Sequence, residues 1–511
     1  MNAPALGTLR GTVLRGLAWN AGYQVFASMV QFGAMLVVVR IIPPAEYGHW
    51  AVALGILQFL NAVNIASFLS HALQLQAGHE PNWTLHWHVG NIIQAVLFVA
   101  CNGIGFVLRR WPGYAAVSVL LHIASVGLLF NTAAQMRMVM LQRQLDYRRI
   151  RTITALSSLL GAGSIILGAA AGYGARALVL GGNVLVSVPF IVDLLVVDRW
   201  RPEGRWFAWP EFPRYRDSLV FGATRIATGL LSASRGALNA ALLPSTLGFE
   251  AIGLMNRAEG LYAMSVGRGM GLLSETVYPI LPQIAGDEQR FARIGRAYSL
   301  LMLSLVLAAV GLFAACGSDL SRLLYGSKWT AADPLLLPGA VIGLGGGLAT
   351  VGSQILLAKG QLKHVFALNI LPPLVLCPAF IGVMILGWNV VIFFWTVALS
   401  LVLTGVISLH WAARWLPGGS LSTRLAGPAM AAAFGTLFAF LVGRAAGNAG
   451  RGLRTAVTVV VFSLVWLAVL RSLFPAMLAE MLDLVPGGAR MRKIARLNDA
   501  RSWLRGTRTR Q

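Results

Sequence analysis

Apolar residues run along this chain in long blocks, punctuated by short segments rich in Arg, Pro, Gly and Asn. Blocks of about 18 residues or more are long enough to cross a hydrocarbon core of roughly 30 Å as helices. The two-residue alternation of membrane β-strands is missing, so the pattern predicts an all-α integral membrane protein. It places about 14 transmembrane helices near residues 16–39, 50–74, 88–108, 114–135, 152–171, 177–197, 218–243, 251–275, 297–316, 334–358, 364–386, 389–411, 425–443 and 454–473.

Composition agrees: 57% of the 511 residues are hydrophobic and only 12% are charged, which excludes an ordinary soluble domain. The net charge of +23 would suggest nucleic acid in a soluble protein, but its distribution follows topology. With the N-terminus inside, 28 of the 41 Lys and Arg fall on the cytoplasmic side, 9 on the opposite side and 4 within spans. That bias predicts N-in and C-in, and no nucleic-acid motif competes with it. The first hydrophobic segment lacks a cleavage site and reads as a retained span. The basic tail, with Met491, Ile494, Leu497, Trp503 and Leu504 among its cations, reads as a surface-lying amphipathic segment.

Cys101, Cys316 and Cys377 sit in apolar surroundings without CxxC spacing and read as core packing. HEPNWTLHWH (79–88) gathers three histidines near Glu80, but its tryptophans favour an interfacial loop over a metal site. No metal or other cofactor is predicted. Three GxxxG matches, at Gly168–Gly172, Gly267–Gly271 and Gly343–Gly347, indicate close helix packing.

Four arginines fall within spans: Arg225 and Arg235 in the seventh, Arg257 and Arg268 in the eighth. An arginine at a helix centre costs roughly 2.5–3.5 kcal/mol to insert, so these must face water, protein or a ligand. Arg257 and Arg268 are 11 residues apart, about 20° off a common face of an uninterrupted α-helix, and Glu275 falls on that face. A cationic stripe of this kind suits an anionic headgroup; the alternatives are pairing with Glu259 or Glu250, and snorkelling. In the first half the intramembrane polar residues are uncharged: Asn20, Gln24 and Gln31 on the first span, and Asn61, Asn64 and His71 on the second. They suit sugar hydroxyls or interhelical packing equally.

AEYG (45–48) and EAIG (250–253), followed by LQLQAGHE (73–80) and LPQIAGDE (281–288), match at glycine offsets of 205 and 208, which suggests a duplicated six-span unit. Six being even, the copies share one orientation and form parallel repeats.

RIIPPAEYG (40–48) resembles the Arg-x-Leu-x-Pro-x-x-Tyr/Phe-Gly signature of bacterial polysaccharide and O-antigen flippases. LQRQLDYRRI (141–150), the region 247–298 with LGFEAIGLMNRAEGLY and VYPILPQIAGDEQRFARIGRAY, and LLYGSKWTAADPLL (323–336) are similar to further segments of that family. The resemblance covers about residues 10–420. It implies the multidrug/oligosaccharidyl-lipid/polysaccharide exporter fold: two six-helix lobes around a central lumen, here 1–217 and 218–416, an additional helix pair at 417–474 and a basic tail at 475–511. It also implies a flippase of the bacterial inner membrane moving a polyprenyl-diphosphate-linked oligosaccharide, with the lumenal cations on the diphosphate. Implied partners are the lipid-linked oligosaccharide, the polysaccharide polymerase and its chain-length machinery. Coupling to H+ or Na+ is left open, with Glu259 and Glu275 as the candidate acids. First-half spans carry no central arginine, a departure from lipid II flippases that argues against lipid II as substrate. A multidrug antiporter of the same superfamily is the nearer alternative, disfavoured by cations where cationic drugs would bind. A membrane glycosyltransferase or ligase lacks its catalytic motifs and a sizeable external loop.

Overall fold

The structure, a computed structural model, describes residues 6–73, 80–144, 146–278, 280–416, 421–447 and 450–482. Among the described residues each predicted span falls mainly on helix. In chain order these are α1 (Leu6–Ile41), α2 (Pro44–Asn61), α3 (Ala66–Ala72), α4 (Trp83–Leu108), α5 (Ala115–Arg143), α6 (Tyr147–Ala170), α7 (Ala175–Val197), α8 (Arg216–Leu242), α9 (Pro244–Tyr262), α10 (Arg268–Val277), α11 (Glu288–Tyr325), α12 (Asp333–Ala358), α13 (Leu362–Leu386), α14 (Val390–Ala413), α15 (Leu421–Ala445) and α16 (Arg451–Leu473). The chain is thus an all-helical, multi-pass membrane protein among its described residues.

Ten described helices are long and apolar enough to cross a membrane, and eleven if Arg225–Leu242 and Pro244–Tyr262 count as one bent span. The shortfall from fourteen lies in α1, α2 and the α8–α10 region. These contain the polar residues singled out above, and the predicted span 50–74 is broken into α2 and α3 at Ala62–Ile65.

The chain forms two compact units, Met1–Gly253 and Leu254–Gln511, with the boundary inside α9. In the first, α1 packs on α6, α4 on α5, and α8 runs along α2 and α3. Glycines bring α8 and α2 into backbone contact: a Cβ on Gly55 would lie 2.5 Å from the Gly236 carbonyl oxygen. The helix start at Asn82 is capped by its side-chain oxygen, which accepts from Leu85 N at 2.8 Å. The segment 83–88, read from sequence as part of an interfacial loop, is therefore the first turns of α4. His79 lies outside the described residues. His86 and His88 are buried and hydrogen-bonded to Tyr215 and to the Arg205 carbonyl. Among the described residues no group of three His, Cys, Asp or Glu is placed to hold a metal.

The glycines of the two matched motifs, Gly48 and Gly253, both lie at a close helix crossing in this unit. A Cβ on Gly48 would overlap the Phe249 carbonyl oxygen, and one on Gly253 would overlap that of Pro44. Pro44 and Phe249 each precede their glycine by four residues, so the two helix starts cross reciprocally, each lacking the side chain that would hold the other off. The preceding Glu46 accepts from Ala175 N at 2.8 Å and caps the start of α7, while Tyr47 is buried.

In the second unit α12 packs along α14, and α15 and α16 pair with each other and lie on α11. Gly311 makes room for this, since a Cβ there would meet Thr436 and Phe462. Arg454 of α16 ion-pairs with Asp319 of α11. The second half of α9 seats on α12, where a Cβ on Gly343 would overlap the Tyr262 ring and one on Gly339 would press on the Ala258 backbone. Cys101 and Cys316 are buried, as core packing requires, whereas Cys377 is exposed on α13. A short helix, Pro475–Leu482, follows α16, and the tail residues read as amphipathic lie outside the described part.

Candidate functional site

The uncharged polar residues of the first unit form a packed node. Asn64 is buried; its Nδ2 donates to Asn61 Oδ1 at 3.3 Å, and its Oδ1 accepts from Gln94 Nε2 at 3.0 Å and from Ala66 N at 3.2 Å. Asn61, Asn64 and His71 do not share one helical face, because α2 ends at Asn61 and the chain turns before α3. His71 instead meets Ser218 Oγ of α8 at 3.0 Å. The node ties the α2–α3 break to α4 through interhelical hydrogen bonds. On α1, Gln31 is exposed; Asn20 and Gln24 lie on the same continuous helix, and their side chains are outside the described ones.

α8 carries Arg225, which is exposed, and Arg235, which is half-buried. Small and hydroxylated residues such as Gly222, Thr228, Gly229, Ser232 and Ser234 surround them, and Thr228 Oγ1 and Ser232 Oγ satisfy themselves on backbone carbonyls of their own helix. The result is a narrow helix with long cationic side chains.

In the second unit Arg257 is 8% exposed, and its Nε and Nη2 donate to Asn256 Oδ1 at 3.2 and 2.6 Å. Its guanidinium lies against Gly260, and Tyr325 Oη donates to its backbone carbonyl at 3.5 Å. Glu259 is half-buried two residues on. Between α9 and α10 the residues Ala263–Gly267 form a π turn. This overturns the common face expected for Arg257, Arg268 and Glu275. A π turn inserts one residue, which rotates everything after it by about 100° relative to an uninterrupted α-helix. Arg268 and Glu275, both after the turn and seven residues apart, keep a common face with each other. Their side chains lie outside the described ones.

One charged cluster was missed in the sequence. Arg137 of α5, 1% exposed, donates from Nε to Asp193 Oδ2 at 2.5 Å and pairs through Nη1 with Asp198 Oδ2 at 2.6 Å. Arg149 of α6 closes the ring on the other carboxylate oxygens, at 2.9 Å to Asp193 and 2.7 Å to Asp198. Two guanidiniums thus face two carboxylates and bind α5, α6 and the end of α7 into a neutral quartet. Burial alone would raise the Asp198 pKa, but the hydrogen bonds and charges of Arg149 and Arg137 hold it below its ordinary value. Arg137 and Arg149 are therefore structural. The signal was available: Asp193 is an acid inside the apolar run FIVDLLVV, and a lone charge there demands a partner.

The polysaccharide biosynthesis protein family model matches residues 37–334. The lipopolysaccharide biosynthesis protein WzxC of Escherichia coli (strain K12) is 23% identical over 384 residues, covering 73% of this chain and 75% of that protein. The teichuronic acid biosynthesis protein TuaB of Bacillus subtilis (strain 168) is 25% identical over 290 residues, covering 55% of this chain and 58% of that protein. Among solved structures, the lipid II flippase MurJ in an inward closed conformation superposes with a TM-score of 0.69 at 13% identity, over 89% of this chain and 99% of that one. At that identity the likeness shows a shared fold. The matched region runs from the end of α1 to the start of α12 and includes both reciprocal glycines and every arginine of α8–α10; this chain belongs to the polysaccharide biosynthesis protein family.

Proposed function

We propose that this protein is a flippase that carries a polyprenyl-diphosphate-linked oligosaccharide from the cytoplasmic to the periplasmic leaflet of the bacterial inner membrane for surface polysaccharide assembly. The two halves alternate access to a path between the leaflets, with both termini cytoplasmic. Family membership, relatives titled for lipopolysaccharide and teichuronic acid synthesis, and a fold shared with a flippase support transport rather than catalysis.

The observation that carries the substrate class is the concentration of arginine in α8–α10, the least apolar helices of a chain that is otherwise 57% hydrophobic. Arg225 and Arg235, with Arg257 and Arg268, are the groups proposed to meet the diphosphate. Guanidinium forks match phosphate oxygens, and the same charges repel the cationic drugs of a multidrug antiporter. Glu259 and Glu275 are the proposed coupling acids for H+ or Na+, and polysaccharide polymerase with its chain-length machinery is the proposed consumer of the product.

The test is leaflet-resolved measurement of lipid-linked oligosaccharide in cells carrying Arg257→Ala, Arg268→Ala or both. Accumulation on the cytoplasmic leaflet at normal protein level is expected. Normal translocation in the double variant would remove the diphosphate role, and sugar transfer by the purified protein in detergent would replace transport with catalysis.

A further inference from the structure

Four segments that the charge bias of the sequence assigns to the side opposite the cytoplasm come together at one end of the first unit. They are the start of α2, Gly113 and Tyr114 ahead of α5, the start of α7, and Gly248 and Phe249 of α9. At their centre is the Phe249 ring. The His49 ring lies 4.3 Å away between centroids, tilted by 44°, and Tyr114 meets Phe249 edge-on at 5.3 Å and 77°. A Cβ on Gly113 would stand 3.3 Å from Phe249 Cε2, so the absent side chain there completes a three-sided socket. Tyr114 is buried, while His49 and Phe249 are half-buried.

The backbone around this ring is held by separate devices. α9 is interrupted at Gly248, with φ 79° and ψ 164°, a conformation essentially reserved for glycine. A Cβ there would meet nothing within 4 Å, so conformation and not space requires the glycine. Phe249 is thus the first residue after a backbone joint. Its own carbonyl lies against Gly48, and four residues on Gly253 lies against the Pro44 carbonyl. The chain passes from the first unit to the second just after this crossing. The start of α7 is fixed to the same turn of α2 by the Glu46 cap on Ala175 N.

Two features separate this contact from permanent core. Phe249 is held by ring contacts, each a small increment beyond burial, and not by charged hydrogen bonds like those of the Arg137 quartet. A cavity of about 370 Å³ also adjoins the socket, walled by Glu46, His49, Leu120, Tyr173 and Arg176, the last two of them exposed. Polar walls that reach the surface admit water, so withdrawing the ring leaves a hydrated pocket and not a sealed void. The cavity cost of emptying a closed core site is thereby avoided.

We propose that Phe249 is the latch of an outer gate. Seated between His49, Gly113 and Tyr114, it holds the α2–α9 crossing shut, and a change of backbone angles at Gly248 withdraws it. Withdrawal opens the outer end of the path along the face of α8 that carries Arg225. This rests on the alternating access proposed above and names a contact that alternation must break.

The experiment reads closure directly, as the rate at which a membrane-impermeant maleimide labels Ser232→Cys in right-side-out membrane vesicles, in a Cys377→Ser background. Ser232 is exposed and lies seven residues from Arg225, on the same face of α8. The remaining cysteines, Cys101 and Cys316, are buried. Labelling is expected to be slow against Arg110→Cys, an exposed reference on the outer side, and about tenfold faster once Phe249→Ala is added. Phe249→Tyr, which keeps the ring, is expected to stay slow. His49→Ala removes one wall of the socket and leaves α9 untouched; it is expected to accelerate labelling too, and reports independently of whether Phe249→Ala folds. Wild-type labelling as fast as the reference, or unchanged labelling in both Phe249→Ala and His49→Ala, overturns the latch. Normal translocation in the Arg257→Ala, Arg268→Ala double variant would instead remove the diphosphate role and leave an opening latch intact.

Discussion

Arg137 and Arg225 are both arginines within helices of a membrane-embedded chain, and the protein treats them in opposite ways. Arg137 is almost completely buried and has its guanidinium fitted to two aspartates, which with Arg149 cancel its charge. Arg225 stands exposed on α8 among small residues, its helix shaped to give a long side chain reach. A charge closed on opposite charges holds helices together and is unavailable to a ligand. An exposed cation in a helix of this kind is costly unless it has water or a ligand to meet, which is why the proposed role in binding an anionic substrate falls to arginines such as Arg225 and not to Arg137.

The contrast can be broken most forcefully at the quartet. Asp193→Asn leaves the buried Arg137 and the half-buried Arg149 with one carboxylate between them, and the purified protein is expected to lose about 3–5 kcal/mol of stability, read as a drop in unfolding temperature and expression. An unchanged unfolding temperature would make the quartet dispensable. Next in size is the reciprocal glycine crossing. Gly253→Leu must displace the Pro44 backbone and is expected to cost about 1–3 kcal/mol or more, with Gly48→Leu matching it because the contacts are equivalent; a large effect in only one of them would show the crossing to be asymmetric. Arg225→Gln sharpens the other side of the comparison. It is expected to change stability by less than about 0.5 kcal/mol while cutting translocation, since no burial is disturbed. Equal loss of folding and transport would class Arg225 with Arg137. The smallest effect is on pH. Because the Asp198 pKa lies below its ordinary 3.8 in the folded protein, the ion-pair contribution is fully present above that value and is lost only as pH falls through the depressed one. Thermal unfolding scans are expected to show no Asp198-dependent change between about pH 5 and 8, comparing wild type with Asp198→Asn.

Much of the fold was legible from residue order. Among the described residues the fourteen apolar blocks fall mainly on helix, and the paired motifs AEYG and EAIG mark glycines that meet in the structure. The candidate site was legible only in part. Residue type identified the arginines of α8–α10, because a charge inside an apolar block is conspicuous however the chain packs. Their common face was not legible: the π turn at Ala263–Gly267 changes the phase of the helix, and nothing in AMSVG announces it. Nor were Asn64 and Gln94 readable as partners, since one lies in the break between α2 and α3 and the other on α4, 30 residues apart.

By itself the sequence determined that this chain lives in a bilayer, which segments are helical, and where its intramembrane charges lie. Each of these follows from local sums of hydropathy over about 20 residues. Tertiary structure alone decided which charges are neutralised and which remain exposed. Arg137 and Asp193 are 56 residues apart, and only the packing of α5, α6 and α7 brings them to 2.5 Å.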